Sequence, residues 1–333
     1  MVNLDDNSRF AVIGYGSWAT TLVGKLTQNG NIVRWHITNE EVIAGVQTDH
    51  CNPKYVSDME LDVDLLHISS DINEVVADSD VVILAVPSAF IKSVLSKLTE
   101  SLEDKIIISA VKGIIPDEYL TVLEYVHQSL GVPFKNMGLI SGPSHAEEVS
   151  RGRLSYLTAV CYSEANAALI ASHLRSKSLV VDTSQDIYGI EYAALLKNIY
   201  AIAAGLAAGL GYGDNYLAVL VSACVAEMKA FLNDSYPFER DICKSAYMGD
   251  LLVTCYSTFS RNRSLGFLIG RGCTVKTALN EMTMVAEGYY AVKGMKVLNS
   301  RSGIQMPIVD TVYSILYEGL RPRKAFAALS AKL

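Results

Sequence analysis

Arg9-Phe10-Ala11-Val12-Ile13-Gly14-Tyr15-Gly16-Ser17-Trp18-Ala19-Thr20 is the stretch that decides the fold. Arg9–Gly14 reads as a strand, and its glycine end leads into a segment with Ala19, Leu22, Val23 and Leu26 on one helical face. The spacing Gly14, Gly16, Ala19 fits the GxGxxG/A turn that binds dinucleotides. Gly14 makes the tight turn, Gly16 lets the backbone approach a pyrophosphate, and Ala19 is small enough for helix and strand to pack closely. The helix aims its first amides at the phosphates. A glycine turn alone is common; its place after a strand and before a helix is what makes it specific.

Outward from that turn, Asn31–His36, Asp80–Val86, Lys105–Ala110 and Met137–Ser141 are further predicted strands, each followed by helix-like sequence. Ser155–Cys161 and Leu179–Val181 extend the sheet around a helix over Glu164–Ser176. From Asp186 the β-branched runs give way to long helical periodicity, in Ile187–Leu210 and Asn215–Leu232. The expected fold is α/β: a Rossmann-type, doubly wound parallel sheet over residues 1–185, then an all-α domain over 186–333.

Half of the 333 residues are apolar and the net charge is -7, which argues against a nucleic-acid binder with its basic stripes. The six cysteines are scattered without a CxxC pair, so reduced thiols are expected and no metal site is read. No signal peptide is read before the first strand, and the chain reads as cytoplasmic. The apolar stretch from Asn198 to Gly213 is short for a membrane span and is taken as a core helix.

Several polar positions fall where open sheets bind ligands, at the carboxyl ends of strands. Lys112 follows Ile106–Val111 and is either a solvated lysine or a cation at a ligand crevice. Ser141-Gly142-Pro143-Ser144-His145-Ala146 reads as a second anion-facing helix start, with Pro143 in its first turn. After the second strand comes Trp35-His36-Ile37-Thr38-Asn39-Glu40-Glu41, with neither a well-placed Asp nor any Arg or Lys, so the choice between NAD and NADP stays open. His36 reads equally as an adenine contact or a surface residue.

Lys197 lies inside the apolar helix Tyr192–Ile202, where a lone cation is costly unless it is paired or functional. Desolvation lowers a lysine pKa and suits it to proton transfer near neutrality. Asp250 opens a later apolar helix, Ser260-Arg261-Asn262 presents donors suited to a phosphate monoester, and Val285–Gly288 precedes another helix.

Together these segments resemble bacterial NAD(P)-dependent glycerol-3-phosphate dehydrogenase over almost the whole chain. The matching runs are GYGSWAT, NPKY (Asn52–Tyr55), AVPS, AVKGI, SGPSHAEEV, EYAALLKNIYAIAAG, AEM (Ala226–Met228), MGDLLVTC, SRNRSLG and VAEG. The resemblance implies NAD or NADP as cofactor, a small phosphorylated substrate, and a homodimer feeding glycerophospholipid synthesis. It places Gly14, Gly16, Ser17, Trp18 and Thr38 along the cofactor, with Gly142, Ser144 and Ala146 on its nicotinamide side, and Val285 and Glu287 completing that site. It makes Lys197 the general acid/base with Asp250 as charged partner, and Lys112 a contact of both cofactor and substrate. Ser260, Arg261 and Asn262 would hold the substrate phosphate, Gly142 would border the substrate, and Arg261 would also reach the cofactor. Three departures stand out. Ala19 replaces a frequent glycine, Thr38 replaces a frequent Arg or His, and Ser222-Ala223-Cys224 replaces the usual Thr-Arg-Gly, removing a cation.

Overall fold

Phe10–Ile13 form β1, buried along its whole length, in a computed structural model that describes every residue but Met1 and Thr283, and only the backbone of Arg301 and Ser302. The other strands are β2 (Val33–His36), β3 (Leu66–Ser69), β4 (Val81–Leu84), β5 (Ile106–Ser109), β6 (Ile114–Ile115), β7 (Leu120–Thr121), β8 (Met137–Ser141), β9 (Ser155–Cys161) and β10 (Leu179–Ser184). Eight of them make one sheet in the order β10-β9-β8-β5-β4-β1-β2-β3. The chain runs outward in opposite directions from β1 and β4, which puts the switch point of a doubly wound sheet at the end of β1.

All pairs in that sheet are parallel except β8 on β9. The link between those two carries only the single-turn helix Ala146–Ser150, not a crossover helix. β3 was not foreseen. It is a half-exposed edge strand whose Leu66 and Ile68 never form an apolar run, so the alternation is too faint to read.

The chain divides into two compact units. The first holds the residues up to Val111 together with Val122–Ile187, and the second holds Lys112–Thr121 and Tyr188–Leu333. The second is helical except for the β6–β7 hairpin, so its expected all-α character is broken by a short antiparallel pair. Ile114 and Ile115 explain why that hairpin belongs there. Both are buried, and a Cβ added at Gly294 of the helix Glu287–Ser302 would lie 2.2 Å from the Ile114 side chain.

The helix Ile187–Gly209 is the spine of the second unit, with most of its length buried. It and Asp214–Ser235 are long and apolar enough to cross a membrane by length and composition; the first is the expected core helix and starts at Ile187, where the helical periodicity does. Four glycines bring the spine against the helix Arg261–Gly270. A Cβ on Gly205 would meet the Arg263 carbonyl oxygen at 2.0 Å, and one on Gly266 would meet that of Ile202 at 2.1 Å. Gly209 and Gly270 repeat the contact one turn on. Backbone lies on backbone here, which fixes the start of the second helix against the middle of the spine.

Candidate active site

In the first unit the glycine turn is built as its spacing requires. Gly14 has φ +116, and a Cβ there would sit 2.5 Å from the Ala85 carbonyl oxygen, so only glycine fits. Gly16 is the N-cap position of the helix Ser17–Gln28, has nothing within 4 Å of an added Cβ, and provides no side chain to cap the first amides. Those amides and the open ground over Gly16 are what a pyrophosphate takes. The indole Nε1 of Trp18 and the Ser141 hydroxyl, at the end of β8, are buried without a hydrogen-bond partner among the described residues. Buried donors of this kind are costly unless something accepts from them, and a bound dinucleotide supplies acceptors. The residues present therefore fit the cofactor.

Trp35 and Asn52, the second of them in the NPKY run but neither expected in the site, hold this turn. The Trp35 indole donates from β2 to the Gly14 carbonyl at 2.7 Å. Asn52, fully buried, donates to the Tyr15 carbonyl at 2.9 Å and the Thr20 hydroxyl at 2.8 Å. Gly142, at φ +123, faces the Tyr156 carbonyl where a Cβ would come within 2.8 Å, and the Ser144 hydroxyl donates to the Gly142 carbonyl. The expected anion-facing helix beyond it is corrected. The helix begins at Ala146 and has five residues, so Pro143 precedes it and no helix of useful length points there. His36 is buried, which removes its surface alternative, and burial pushes its pKa down. Thr38 is exposed, while the Asn39 side chain caps the next helix by accepting from the Val42 amide.

In the second unit Lys112, Lys197 and Asp250 meet. A π-turn over Ser245–Gly249 delivers Asp250 to the start of the helix Asp250–Tyr256, with its side chain 1% exposed. Lys197 Nζ donates to Asp250 Oδ1 at 2.5 Å and Lys112 Nζ to Oδ2 at 2.8 Å, so one carboxylate bridges two ammonium groups. Burial alone would push the Asp250 carboxyl up; the attraction of both lysines and their hydrogen bonds hold it below the usual range. For Lys197 burial dominates. It carries the ammonium down to about 8, against the pull of Asp250 and with help from the neighbouring Lys112 charge.

Thr254, part of the MGDLLVTC run but given no role there, completes the set. Its hydroxyl donates to the Asp250 carbonyl at 2.6 Å and accepts from Lys197 Nζ at 2.9 Å. Two of the three Lys197 protons are thus committed, leaving one for a substrate oxygen. Its sequence signs are its place in the MGDLLVTC run and one helical turn after Asp250.

A relay of amides ties the surrounding segments together. Asn198 Nδ2 donates to the Lys112 carbonyl at 2.6 Å, Asn262 Nδ2 to Asn198 Oδ1 at 2.9 Å, and the Gly288 amide to Asn262 Oδ1 at 2.9 Å. The Asn262 side chain, expected on the phosphate, is largely spent on this register. Ser260 caps the helix Arg261–Gly270 by accepting from the Arg263 amide. Half-buried Arg261 leads that helix and donates to no other described residue. Val285 lies in the loop before the helix Glu287–Ser302, and Glu287 opens it.

A glycine turn shaped for a pyrophosphate and a desolvated lysine held by a carboxylate are the parts of a nicotinamide-dependent dehydrogenase. The family model described as NAD-dependent glycerol-3-phosphate dehydrogenase N-terminus matches residues 9–167, and that for its C-terminus matches 186–327. Proteins named glycerol-3-phosphate dehydrogenase [NAD(P)+] from Staphylococcus epidermidis and Agathobacter rectalis are 35% and 34% identical. Those alignments cover 96% and 97% of this chain and 97% and 95% of theirs. The crystal structure of glycerol-3-phosphate dehydrogenase from Coxiella burnetii superposes with a TM-score of 0.88 at 27% identity, over 97% of this chain and 98% of that one. The chain belongs to the NAD-dependent glycerol-3-phosphate dehydrogenase family.

The Thr254 contact generates a test. A hydroxyl accepting from Lys197 favours the charged amine, so Thr254→Val should move the Lys197 titration below its present value of about 8. Thr254→Ser should restore it. Pulsed acylation of Lys197 at graded pH, read by mass spectrometry, measures both, and an unmoved midpoint in the valine variant removes Thr254 from the site.

Proposed function

We propose that Lys197 is the proton donor and acceptor in the interconversion of glycerone phosphate and sn-glycerol 3-phosphate, with NAD(P)H as the reductant. The observation that carries this reading is the buried Lys197–Asp250–Lys112 set, in which one lysine is brought to about 8. Bound NAD(P)H supplies the hydride. As C2 of glycerone phosphate accepts it, Lys197 Nζ gives its free proton to the C2 oxygen, and the alkoxide becomes a hydroxyl. Asp250 keeps its charge throughout and orients the amine. Lys112 donates to the other carboxylate oxygen, and its charge would polarise the carbonyl. In the reverse direction neutral Lys197 takes the hydroxyl proton as hydride leaves. Arg261 and the first amides of its helix take the phosphate, whose binding energy orients the three-carbon body.

We also read the enzyme as a cytoplasmic homodimer whose product enters glycerophospholipid synthesis. Support comes from the six free cysteines and from the open face of the helix Asp214–Ser235, where Ala218, Val219, Ala226 and Ala230 are exposed. Sedimentation of the purified chain as a monomer at micromolar concentration would remove the dimer.

NADH or NADPH oxidation with glycerone phosphate is the direct assay, and its pH dependence carries the assignment of Lys197. Reduction needs the charged amine, so kcat/KM should hold below about pH 8 and fall above it. Oxidation needs the neutral amine and should rise through the same pH. Lys197→Ala should lower kcat by at least about 10²-fold with cofactor affinity little changed. Near-wild-type turnover in that variant would falsify the role.

Arg261→Ala tests the phosphate. A charge-assisted bidentate contact is worth roughly 1.5–3 kcal/mol, so kcat/KM for glycerone phosphate should drop by about tenfold to more than a hundredfold. The weak activity on unphosphorylated dihydroxyacetone should stay. Equal losses on both substrates, with cofactor Kd unchanged, would assign Arg261 to the fold or the chemistry instead.

A further inference from the structure

The edge where β2 ends is where a dinucleotide fold meets the adenosine ribose, and an acidic side chain there normally selects the 2′-hydroxyl of NAD. Here the positions nearest the strand end cannot serve. His36 is buried, Thr38 is uncharged, and the Asn39 side chain is committed to the Val42 amide. The charges at this edge come from other places, Asp71 and Lys97 among them, both close enough to act on buried His36. Glu40 and Glu41 form the first turn of the helix Glu40–Asp49, and Lys54 Nζ lies 2.7 Å from Glu41 Oε2.

Lys54 is not a loose surface lysine that happens to meet a carboxylate. Asn52 Oδ1 accepts from the Lys54 and Tyr55 amides at 3.1 and 3.2 Å, closing a tight turn. The same Asn52 is pinned by its Nδ2 to Tyr15 and Thr20, inside and just after the glycine turn. On the other side Pro53 packs so closely on the helix Glu40–Asp49 that a Cβ on Gly45 would meet its ring at 2.6 Å. The turn Asn52–Tyr55 is therefore clamped between the pyrophosphate turn and the helix that carries Glu41. That fixes the Lys54 backbone at the ribose edge.

We propose that the Glu41–Lys54 pair chooses between the two nicotinamide dinucleotides, with Glu41 excluding the 2′-phosphate and holding Lys54 as its counter-ion, so that the enzyme prefers NAD(H). The proposal rests on the dinucleotide lying along the glycine turn. A 2′-phosphate entering this edge meets two first-turn carboxylates and a lysine already neutralised, whereas a 2′-hydroxyl can donate to Glu41. Replacing Glu41 by a neutral isostere leaves the clamped Lys54 free to pair with the phosphate.

The test is equilibrium binding of NADH and of NADPH, followed by nicotinamide fluorescence, to the wild type, Glu41→Gln and the double variant Glu41→Gln/Lys54→Met. The wild type should bind NADH more tightly than NADPH. Glu41→Gln should tighten NADPH by about tenfold relative to NADH, and adding Lys54→Met should cancel that gain. Raising the salt should shrink the gain, because the pair is exposed. A wild type that prefers NADPH, or an NADPH/NADH ratio unmoved by Glu41→Gln, overturns the role of the pair while leaving the cofactor site intact. Failure of both dinucleotides to bind the folded wild type overturns the cofactor reading, and this proposal with it.

Discussion

A carboxylate buried to 1% exposure between two lysines is the constraint on which the second unit depends. An isolated ion at that depth would cost several kcal/mol, and a single partner leaves half of the carboxylate unsatisfied. Asp250 meets the demand with one ammonium on each oxygen. Lys197 comes from the middle of the spine helix, but Lys112 must be brought in from a distant part of the chain. That requirement gives a physical reason for Lys112–Thr121 to leave the first unit and fold with the second. The buried hairpin isoleucines anchor the excursion, and the Asn198 amide grips the Lys112 carbonyl.

The arrangement is held by backbone as much as by side chains. Glycines at 205, 209, 266 and 270 let two helices touch along their main chains, so Asn262 reaches Asn198 with a side-chain hydrogen bond. Gly288 extends the same principle, since a Cβ there would meet the Asn198 carbonyl at 2.6 Å. Its amide, donated to Asn262, sets the start of the helix Glu287–Ser302. A larger residue at any of these positions would shift a segment that carries a candidate ligand of substrate or cofactor.

How much of this was legible in the sequence follows from how each feature is encoded. β1, β4, β5 and β8 are runs of buried apolar residues and are readable as such, and Gly14 announces itself because no other residue tolerates its turn. Lys197 is visible as a charge in an apolar helix. The edge strand β3 and the β6–β7 hairpin are not, because their stability comes from neighbours far away in the chain. Thr254 and Asn52 lie in matching runs, and Trp35 in a strand, but nothing local gives them a role, and only the fold brings their polar atoms to Lys197, Tyr15 and Gly14. The Glu41–Lys54 pair is hidden for the same reason.

The same unit buries other carboxylates, Glu191 and Glu227, and treats the latter in the opposite way. Glu227 accepts from the Ile308 and Val309 amides at 2.8 and 3.2 Å, where the helix Pro307–Tyr317 begins. Those amides favour the anion, yet burial outweighs them and Glu227 rises to about 7. The contrast with Asp250 is one of partners, not of depth: two ammonium groups hold one carboxyl down, while dipoles alone fail to hold the other. Ala223 lies four residues before Glu227 on the same helix, at the spacing where side chains meet, and stands where the family resemblance puts an arginine. By that resemblance, the departure from Thr-Arg-Gly removes a cation that helical geometry would set beside Glu227. A carboxyl left near neutrality serves as a helix anchor without demanding a counter-charge, whereas the proton transfer proposed for Lys197 would draw on the charged carboxylate of Asp250.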